Sequence, residues 1–213
     1  ITSNLSPNII YGGINYDEQI KELSQLNPQI KAASFYDSSY IGNTIHQSVL
    51  KYNPEISYSM AFNLKDNTNF TKEMKKLQPI LNNSRIFLNT PLINSSIILS
   101  QITYYDIQTQ GIYSTQINYN PTLLSITQAK DRDNMYIANS IGKLEDLFVE
   151  EAKLLNADLE YDWINYATAL GIEYFYLKNI PSAKRFFDEK IYNNQVQYDI
   201  QILSPKNNRF IQH

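Results

Sequence analysis

The feature of this sequence that most limits its fold is an alternation of short apolar runs, small polar turns and helix-period segments. Residues 30–36 form an apolar run with a small centre, Ala32-Ala33. Asp37-Ser38-Ser39 ends it, and Ile41, Ile45 and Val49 then mark one face of a helix that stops before Asn53-Pro54. The cycle repeats. Residues 56–62 alternate as a strand, 66–69 are a polar loop, and Phe70, Met74, Leu77 and Leu81 give a helix face that tolerates Pro79 near its end. Residues 85–88 predict a strand closed by Asn89-Thr90-Pro91, residues 92–105 a helix, and Ile112-Tyr113 and residues 134–141 two more strands. Upstream, Ile9-Ile10-Tyr11 ends at Gly12-Gly13. Ile14, Ile20, Leu23 and Leu26 then mark a first helix, with Asp17 and Glu18 in its first turn and Asn27-Pro28 as its stop. This order at intervals of about 25–30 residues is the signature of βαβ units: an α/β fold with a mainly parallel sheet and helices on both faces. No sequence repeat accompanies it, so the chain is not a solenoid.

The last third changes character. Residues 144–155 are amphipathic with acidic residues outward, and 158–176 predict a second helix carrying the single tryptophan, Trp163. Ile180-Pro181-Ser182 breaks that helix, and residues 182–187 are expected to add a turn. From 196 to 203, Val196, Tyr198, Ile200 and Ile202 fall on one face, which predicts a half-buried strand, antiparallel at a sheet edge. Pro205-Lys206-Asn207-Asn208 is a turn, and Arg209-Phe210-Ile211 can pair back as a C-terminal β-hairpin. The expected organisation is an α/β lobe over 1–142, with C-terminal helices and a hairpin over 143–213 packing on or returning from the same domain.

Composition removes several kinds of chemistry. A chain of 213 residues buries roughly 70% of its unfolded surface, so it needs no metal or disulfide staple. Only 18% of residues are charged, the net charge is −3, and Arg85, Arg132, Arg185 and Arg209 are the four arginines. Lys72, Lys75 and Lys76 are the nearest thing to a basic stripe. Nucleic-acid binding needs far denser phosphate neutralisation, so no nucleic-acid partner is expected. The absence of cysteine excludes disulfides, thiolate metal sites and cysteine nucleophiles. His46, inside a helix, and His213 at the end of the chain cannot supply a triad or a zinc site, and no G-x-S-x-G is present. The carboxylate pairs (Glu145-Asp146, Glu150-Glu151, Asp131 with Asp133, and Asp158-Glu160-Asp162) are neighbours along the chain, whereas glycosidase chemistry sets two carboxylates across a cleft. Gly12-Gly13 fits no phosphate-loop pattern. No enzyme activity, metal or cofactor is expected. No apolar run approaches the ~20 residues of a membrane span. The chain opens on Ile1 in place of Met, which leaves room for a signal or anchor upstream.

Ligands of an open parallel sheet lie beyond the carboxyl ends of its strands. The candidate binding residues there are Tyr36, Asp37, Ser38 and Ser39, then Asn89 and Thr90, then Ser114, then Ser140. Asn63, Thr115, Gln116 and Asn139 lie in the same turns. Two roles are open to Asp37-Ser38-Ser39: holding a small polar ligand, or capping the next helix with a serine and closing a turn with the aspartate.

The string "NIIYGGINYDEQIKEL" followed by "IKAASFYDSSYIGNTIHQSVLKY" resembles the crossover into the second lobe of type I periplasmic binding proteins. "RIFLNTPLINSSIILSQIT" is similar to that family's next strand, polar loop and helix. "YDWINYATALGIEYF" resembles its late helix returning to the first lobe, and "FDEKIYNNQVQYDIQILSPKNNRFIQ" its final hairpin. The resemblance implies a non-enzymatic, periplasmic or otherwise extracytoplasmic binding domain for a small polar ligand, held by strand-end hydroxyls and helix N-termini. In the family a full first lobe precedes this region, so these residues would supply half of a cleft. Within the family the similarity is nearest to the C-terminal domain of a lipoprotein that activates a peptidoglycan synthase. That implies the alternative, a protein-interaction or regulatory module whose partner is a cell-envelope protein. An exposed patch around Trp163, Tyr166, Tyr174, Phe175 and Tyr176 would favour the alternative; a polar cleft around Ser38 and Thr90 would favour the solute binder.

Overall fold

The computed structural model describes residues 13–62 and 70–213. The described residues divide into two compact units, one within Asn15–Asn139 with Ile200–His213 and the other containing Ser140–Asp199.

The first unit is built on a seven-stranded sheet. In chain order it runs α1 (Tyr16–Gln25), β1 (Ala32–Tyr36), α2 (Tyr40–Tyr52), β2 (Ile56–Ala61), α3 (Phe70–Leu81), β3 (Arg85–Asn89), α4 (Leu92–Tyr104), β4 (Gly111–Thr115), α5 (Pro121–Ile126) and β5 (Met135–Asn139). The order across the sheet is β2-β1-β3-β4-β5, all parallel. It is completed by the antiparallel strands β8 (Gln201–Lys206) and β9 (Arg209–Gln212), which form the expected C-terminal hairpin. Strands β1, β3 and β4 are buried almost end to end, as strands covered on both faces must be. Alternate residues divide between two cores. Ala33, Phe35, Ile86, Leu88, Ile112 and Ile137 pack with Met74, Leu77, Ile98 and Leu99 of α3 and α4. Ala32, Phe87, Tyr113 and Ala138 pack with Ile20, Leu23, Ile45 and Val49 of α1 and α2. The strand period of two thus sends successive side chains to helices on opposite faces.

The second unit contains α6 (Asp146–Leu154), α7 (Trp163–Asn179) and a two-stranded ribbon of β6 (Lys190–Tyr192) and β7 (Gln195–Gln197). Beside its buried Ile141, Leu144, Leu159, Leu170 and Val196, aromatic pairs pack: Phe148 stacks on Phe186 with centroids 4.2 Å apart, Tyr166 meets Phe187 edge-on at 5.2 Å, and Trp163 meets Tyr198 at 4.6 Å.

Three expectations are corrected. The alternating stretch 196–203 is two strands: β7 pairs with β6, and β8 pairs with β5. Periodicity reports which face a residue takes and is silent about its partner, so it ran unbroken through the change of sheet. Nor is β8 at the edge, because β9 lies outside it. Finally, α7 begins at Trp163 instead of 158. Asp158 Oδ1 accepts from Glu160 N–H and Tyr161 N–H, and Asp162 Oδ1 from Ile164 N–H and Asn165 N–H. The first aspartate closes its own turn, and the second caps the helix. The apolar run 9–11 and the loop 66–69 lie outside the described residues.

The turns rest on asparagine. Among the described residues, the non-glycine positions with positive φ are Asn27, Asn83, Asp106, Asn156, Asn193, Asn194, Asn207 and Asn208. Four of them follow the caps of α1, α3, α4 and α6, where a left-handed residue releases the chain from a helix. The other four are the two-residue turns of the β6–β7 and β8–β9 hairpins, which need φ above zero at both positions. With 24 asparagines and 6 glycines, the chain gives asparagine the work glycine does in most proteins.

Candidate functional site

Strands β1 and β3 end side by side, with Tyr36 opposite Asn89. The strand order reverses between them, so this is the topological switch point of the sheet, where open α/β folds bind ligands. Asp37 N–H donates to Asn89 O at 3.2 Å, tying the two ends together. Asp37 Oδ2 accepts from Ser39 N–H at 3.2 Å, and Ser39 Oγ accepts from Gly42 N–H at 3.1 Å. The aspartate therefore closes the turn and Ser39 caps α2. Gly42 permits this close return: a Cβ there would stand 2.1 Å from Asp37 O. Ser38, Ser39 and Tyr40 are exposed, while Tyr36 and Asp37 are half-buried. Tyr36 stacks on His46 at 3.9 Å between centroids, and His46 Nδ1 lies 3.0 Å from Ser34 Oγ. Burial pulls the His46 pKa below its ordinary value.

Behind the turn lies a knot of buried polar side chains. Asn89 Oδ1 accepts from Thr115 N–H at 2.9 Å and Thr115 Oγ1 at 3.1 Å. Ser95 Oγ donates to Thr90 O and lies 2.8 Å from Thr90 Oγ1. Asn118 Nδ2 donates to Ser114 Oγ at 2.9 Å and to Leu88 O and Thr90 O, each at 3.3 Å. These six side chains are 0–1% exposed. Two atoms in the knot have no partner: Asn89 Nδ2, a donor, and Asn118 Oδ1, an acceptor. Both amide orientations are fixed by the bonds the other end makes, so the identity of each orphan is settled chemically.

The structure thus gathers Tyr36, Asp37, Ser38, Ser39, Asn89, Thr90 and Ser114 at one end of the sheet, but in two environments: the β1 turn faces solvent, while Asn89, Thr90 and Ser114 are enclosed. Ser140 directly follows β5 and belongs to the other unit, so it is not grouped with them. Asn63 lies outside the described residues. Ser95 and Asn118 were not anticipated. Asn118 sits in a single 3-10 turn after β4, and the only sequence trace of it is the turn-rich run Asn118-Tyr119-Asn120-Pro121.

The second unit exposes what the first encloses. Of its expected aromatic patch, Phe175 is 69% exposed, Tyr176 53% and Tyr174 40%, with Ile164 and Ile172 open beside them; Tyr166 is buried and Trp163 half-buried. Only Tyr166 and Leu170 of the seventeen residues of α7 are buried. The Tyr166 hydroxyl donates to Glu189 Oε1 and accepts from Gly142 N–H. Burial, then the Glu189 carboxylate, drives the Tyr166 pKa far above the usual phenol range. Among the described residues no group of acidic or histidine side chains could hold a metal, and no helix is long and apolar enough to cross a membrane.

The architecture is that of a type I periplasmic-binding-protein lobe, and solved structures carry the same fold. One is a branched chain amino acid ABC transporter protein from Thermus thermophilus with bound valine (TM-score 0.76, 15% identity, 96% of this chain and 65% of that one). LpoA from Haemophilus influenzae is another (TM-score 0.56, 12% identity, 99% of this chain and 42% of that one). The third is the LpoA C-domain from Haemophilus influenzae, a regulator of PBP1A (TM-score 0.59, 10% identity, 99% of this chain and 71% of that one). The chain spans less than two thirds of the length of the first two. These likenesses concern the fold, shared by transporter binding proteins and a regulatory domain alike. No family profile and no curated protein matches the sequence.

Proposed function

We propose that this chain is a non-enzymatic, extracytoplasmic binding domain that acts on a protein partner at the cell envelope, as a regulator of peptidoglycan synthesis. The observation that carries this role is the contrast between the two ends of the chain's chemistry. Asn89 Oδ1, Thr90 and Ser114 hydrogen-bond within a closed knot, whereas Ile164, Ile172, Phe175 and Tyr176 are exposed along one helix. Exposed aromatic and aliphatic side chains in a contiguous run mark protein contacts. The likeness to a regulator of PBP1A supports the same role. The test is binding of the purified protein to a peptidoglycan synthase from its own organism, read by surface plasmon resonance, with Ile172→Asp/Phe175→Asp as the variant. Loss of binding by about a hundredfold, as for a buried anchor pair, with unchanged circular dichroism supports the role. Equal binding of both proteins refutes it.

One observation favours a second role, binding of a small polar ligand at the switch point. Asn89 Nδ2 and Asn118 Oδ1 are a buried donor and acceptor with no partner, and buried polar groups are normally satisfied. Thermal melting across amino acids and small acids discriminates. A ligand at about 100 times its dissociation constant adds about 2.7 kcal/mol. A shift that Ser38→Ala/Thr90→Ala abolishes establishes the solute site; a flat panel leaves the protein partner.

A further inference from the structure

A groove of about 810 Å3 runs between α7 and the β6–β7 ribbon, within the second unit. Leu170, Leu177 and Phe187 line it with apolar surface, and Glu189, Lys190, Ile191 and Tyr192 line it as four consecutive residues. In a strand, side chains alternate between faces, so the three successive residues of β6 reach a groove only where the strand presents its edge. The pairing of β6 with β7 sets what that edge offers. A two-residue turn makes the flanking residues, Tyr192 and Gln195, a hydrogen-bonded pair, and pairs alternate from there. Ile191, opposite Val196, is therefore a non-bonded pair, and its N–H and C=O point away from β7. Neither has a partner among the described residues.

The charges in the groove differ in commitment. Glu173 accepts from the backbone N–H of Phe186 and Phe187, and Glu189 Oε1 from Tyr166. Arg185 clamps the loop through Phe187 O and Glu189 O. Lys178 and Lys190 line the groove and have no carboxylate within ion-pair distance among the described residues. Glu189 Oε2 has no partner, but the lining carries three cations, Lys178, Arg185 and Lys190, against two carboxylates, Glu173 and Glu189, so its net charge is positive.

We infer that this groove takes an extended, acidic peptide segment of the protein partner, which adds a strand to the edge of β6 through Ile191 and places carboxylates against Lys178 and Lys190. Main-chain bonds at a free edge supply affinity and alternate side chains supply selectivity. The inference rests on the protein-partner role and names the chemistry of the partner. Its occupant differs from what the outer face of α7 would meet, because Leu170, Glu173 and Leu177 lie on the opposite side of the helix from Ile164, Ile172 and Phe175, with Lys178 at the border, three residues from Phe175.

The probe is a short fluorescein-labelled peptide alternating valine with glutamate, measured by anisotropy on the whole protein. Three comparisons accompany it: a valine–lysine peptide, the acidic peptide N-methylated at alternate residues, and the Lys178→Glu/Lys190→Glu protein. The expected result is saturable binding of the acidic peptide, at least about tenfold weaker for each of the three, since two hydrogen bonds or two charge pairs correspond to roughly that factor. N-methylation tests the strand edge without altering the protein, so a folding defect in the variant cannot imitate the result. No binding, or equal binding of the methylated peptide, overturns the inference. If the synthase binds and Ile172→Asp/Phe175→Asp disrupts it while Lys178→Glu/Lys190→Glu does not, the protein-partner role stands and the groove is rejected. If the synthase does not bind at all, both fall.

Discussion

Replacing Asn118 tests whether the strand-end knot exists to hold the fold. Its Nδ2 serves three buried acceptors, Ser114 Oγ at 2.9 Å and two carbonyls at 3.3 Å. In Asn118→Ala each acceptor loses a donor, at about 1 kcal/mol for a neutral bond and less for the two longer ones. The substitution also removes the unpartnered Oδ1, returning about 1 kcal/mol of desolvation cost. The net loss is about 1 kcal/mol. Asn118→Asp keeps the shape but turns the donor into a second acceptor facing three others. It should cost at least about 2 kcal/mol more than alanine, because it buries a carboxyl with nothing to receive from. Urea denaturation followed by far-ultraviolet circular dichroism measures both, with an unchanged m-value required for the comparison. Alanine within about 0.5 kcal/mol of the native protein, or aspartate no worse than alanine, would refute the account of the knot as a structural element.

Four further outcomes are expected. Burial holds the folded-state pKa of His46 below 6.5, so the unfolded chain takes up the proton first. Stability is fully present above about pH 6.5, falls as the pH drops from there toward the folded value, and His46→Gln flattens that part of a melting-against-pH curve. Tyr166→Phe strands Gly142 N–H and a Glu189 carboxylate oxygen, at about 2–4 kcal/mol by urea denaturation; a loss under about 1 kcal/mol contradicts the burial assigned to Tyr166. Asn207→Ala should cost about 1 kcal/mol at its φ of 50°, while Asn207→Gly is near neutral; equal effects would mean that the turn is not left-handed. Gly42→Ala drives a methyl into Asp37 O and should raise amide exchange at Ser39 and Gly42, whose N–H groups the turn protects, with no such change in a Gly13→Ala control where a Cβ meets nothing.

The parallel half of the fold was legible because its signals are local. Ala32-Ala33 in a short apolar run, Ser39 before Ile41 and Ile45, and Asn27-Pro28 after Leu26 each reveal burial, a cap or a stop within a few residues. The ribbon β6–β7 was not legible: Lys190, Ile191 and Tyr192 are too few to show a period, and the Asn193-Asn194 turn reads as composition in a chain this rich in asparagine. The site was half-legible. Position relative to the strands identified Asp37, Ser39, Asn89 and Thr90, but their partners are distant in sequence. Asn118 reaches Leu88 across thirty positions, and no local pattern records that. Whether a hydroxyl faces solvent or a neighbouring side chain is decided by such contacts.

A scarcity of charge shapes how this protein can recognise anything. The buried arginines hydrogen-bond to neutral oxygens instead of carboxylates, and Arg132 Nε has no partner. Arg85 donates to Ser24 O, Leu26 O, Ile30 O and Asn53 Oδ1, and Arg132 to Thr127 O and Asn208 Oδ1. The ion pairs among the described residues, Lys51–Asp17, Lys153 with Glu150 and Glu160, and Lys184–Glu145, all have side chains at least 41% exposed, where such pairs contribute little. Folding stability should therefore change little between low and physiological salt. Recognition at the α7–β6 groove is different, since it would depend on Lys178 and Lys190, which are not engaged by the protein's own acids. Screening over a Debye length of about 8 Å at physiological ionic strength should weaken an acidic peptide there while leaving the melting temperature in place. Binding that falls with salt while stability holds separates the two uses of charge; a melting temperature that falls in step with binding would mean that the exposed pairs carry more of the fold than their exposure allows.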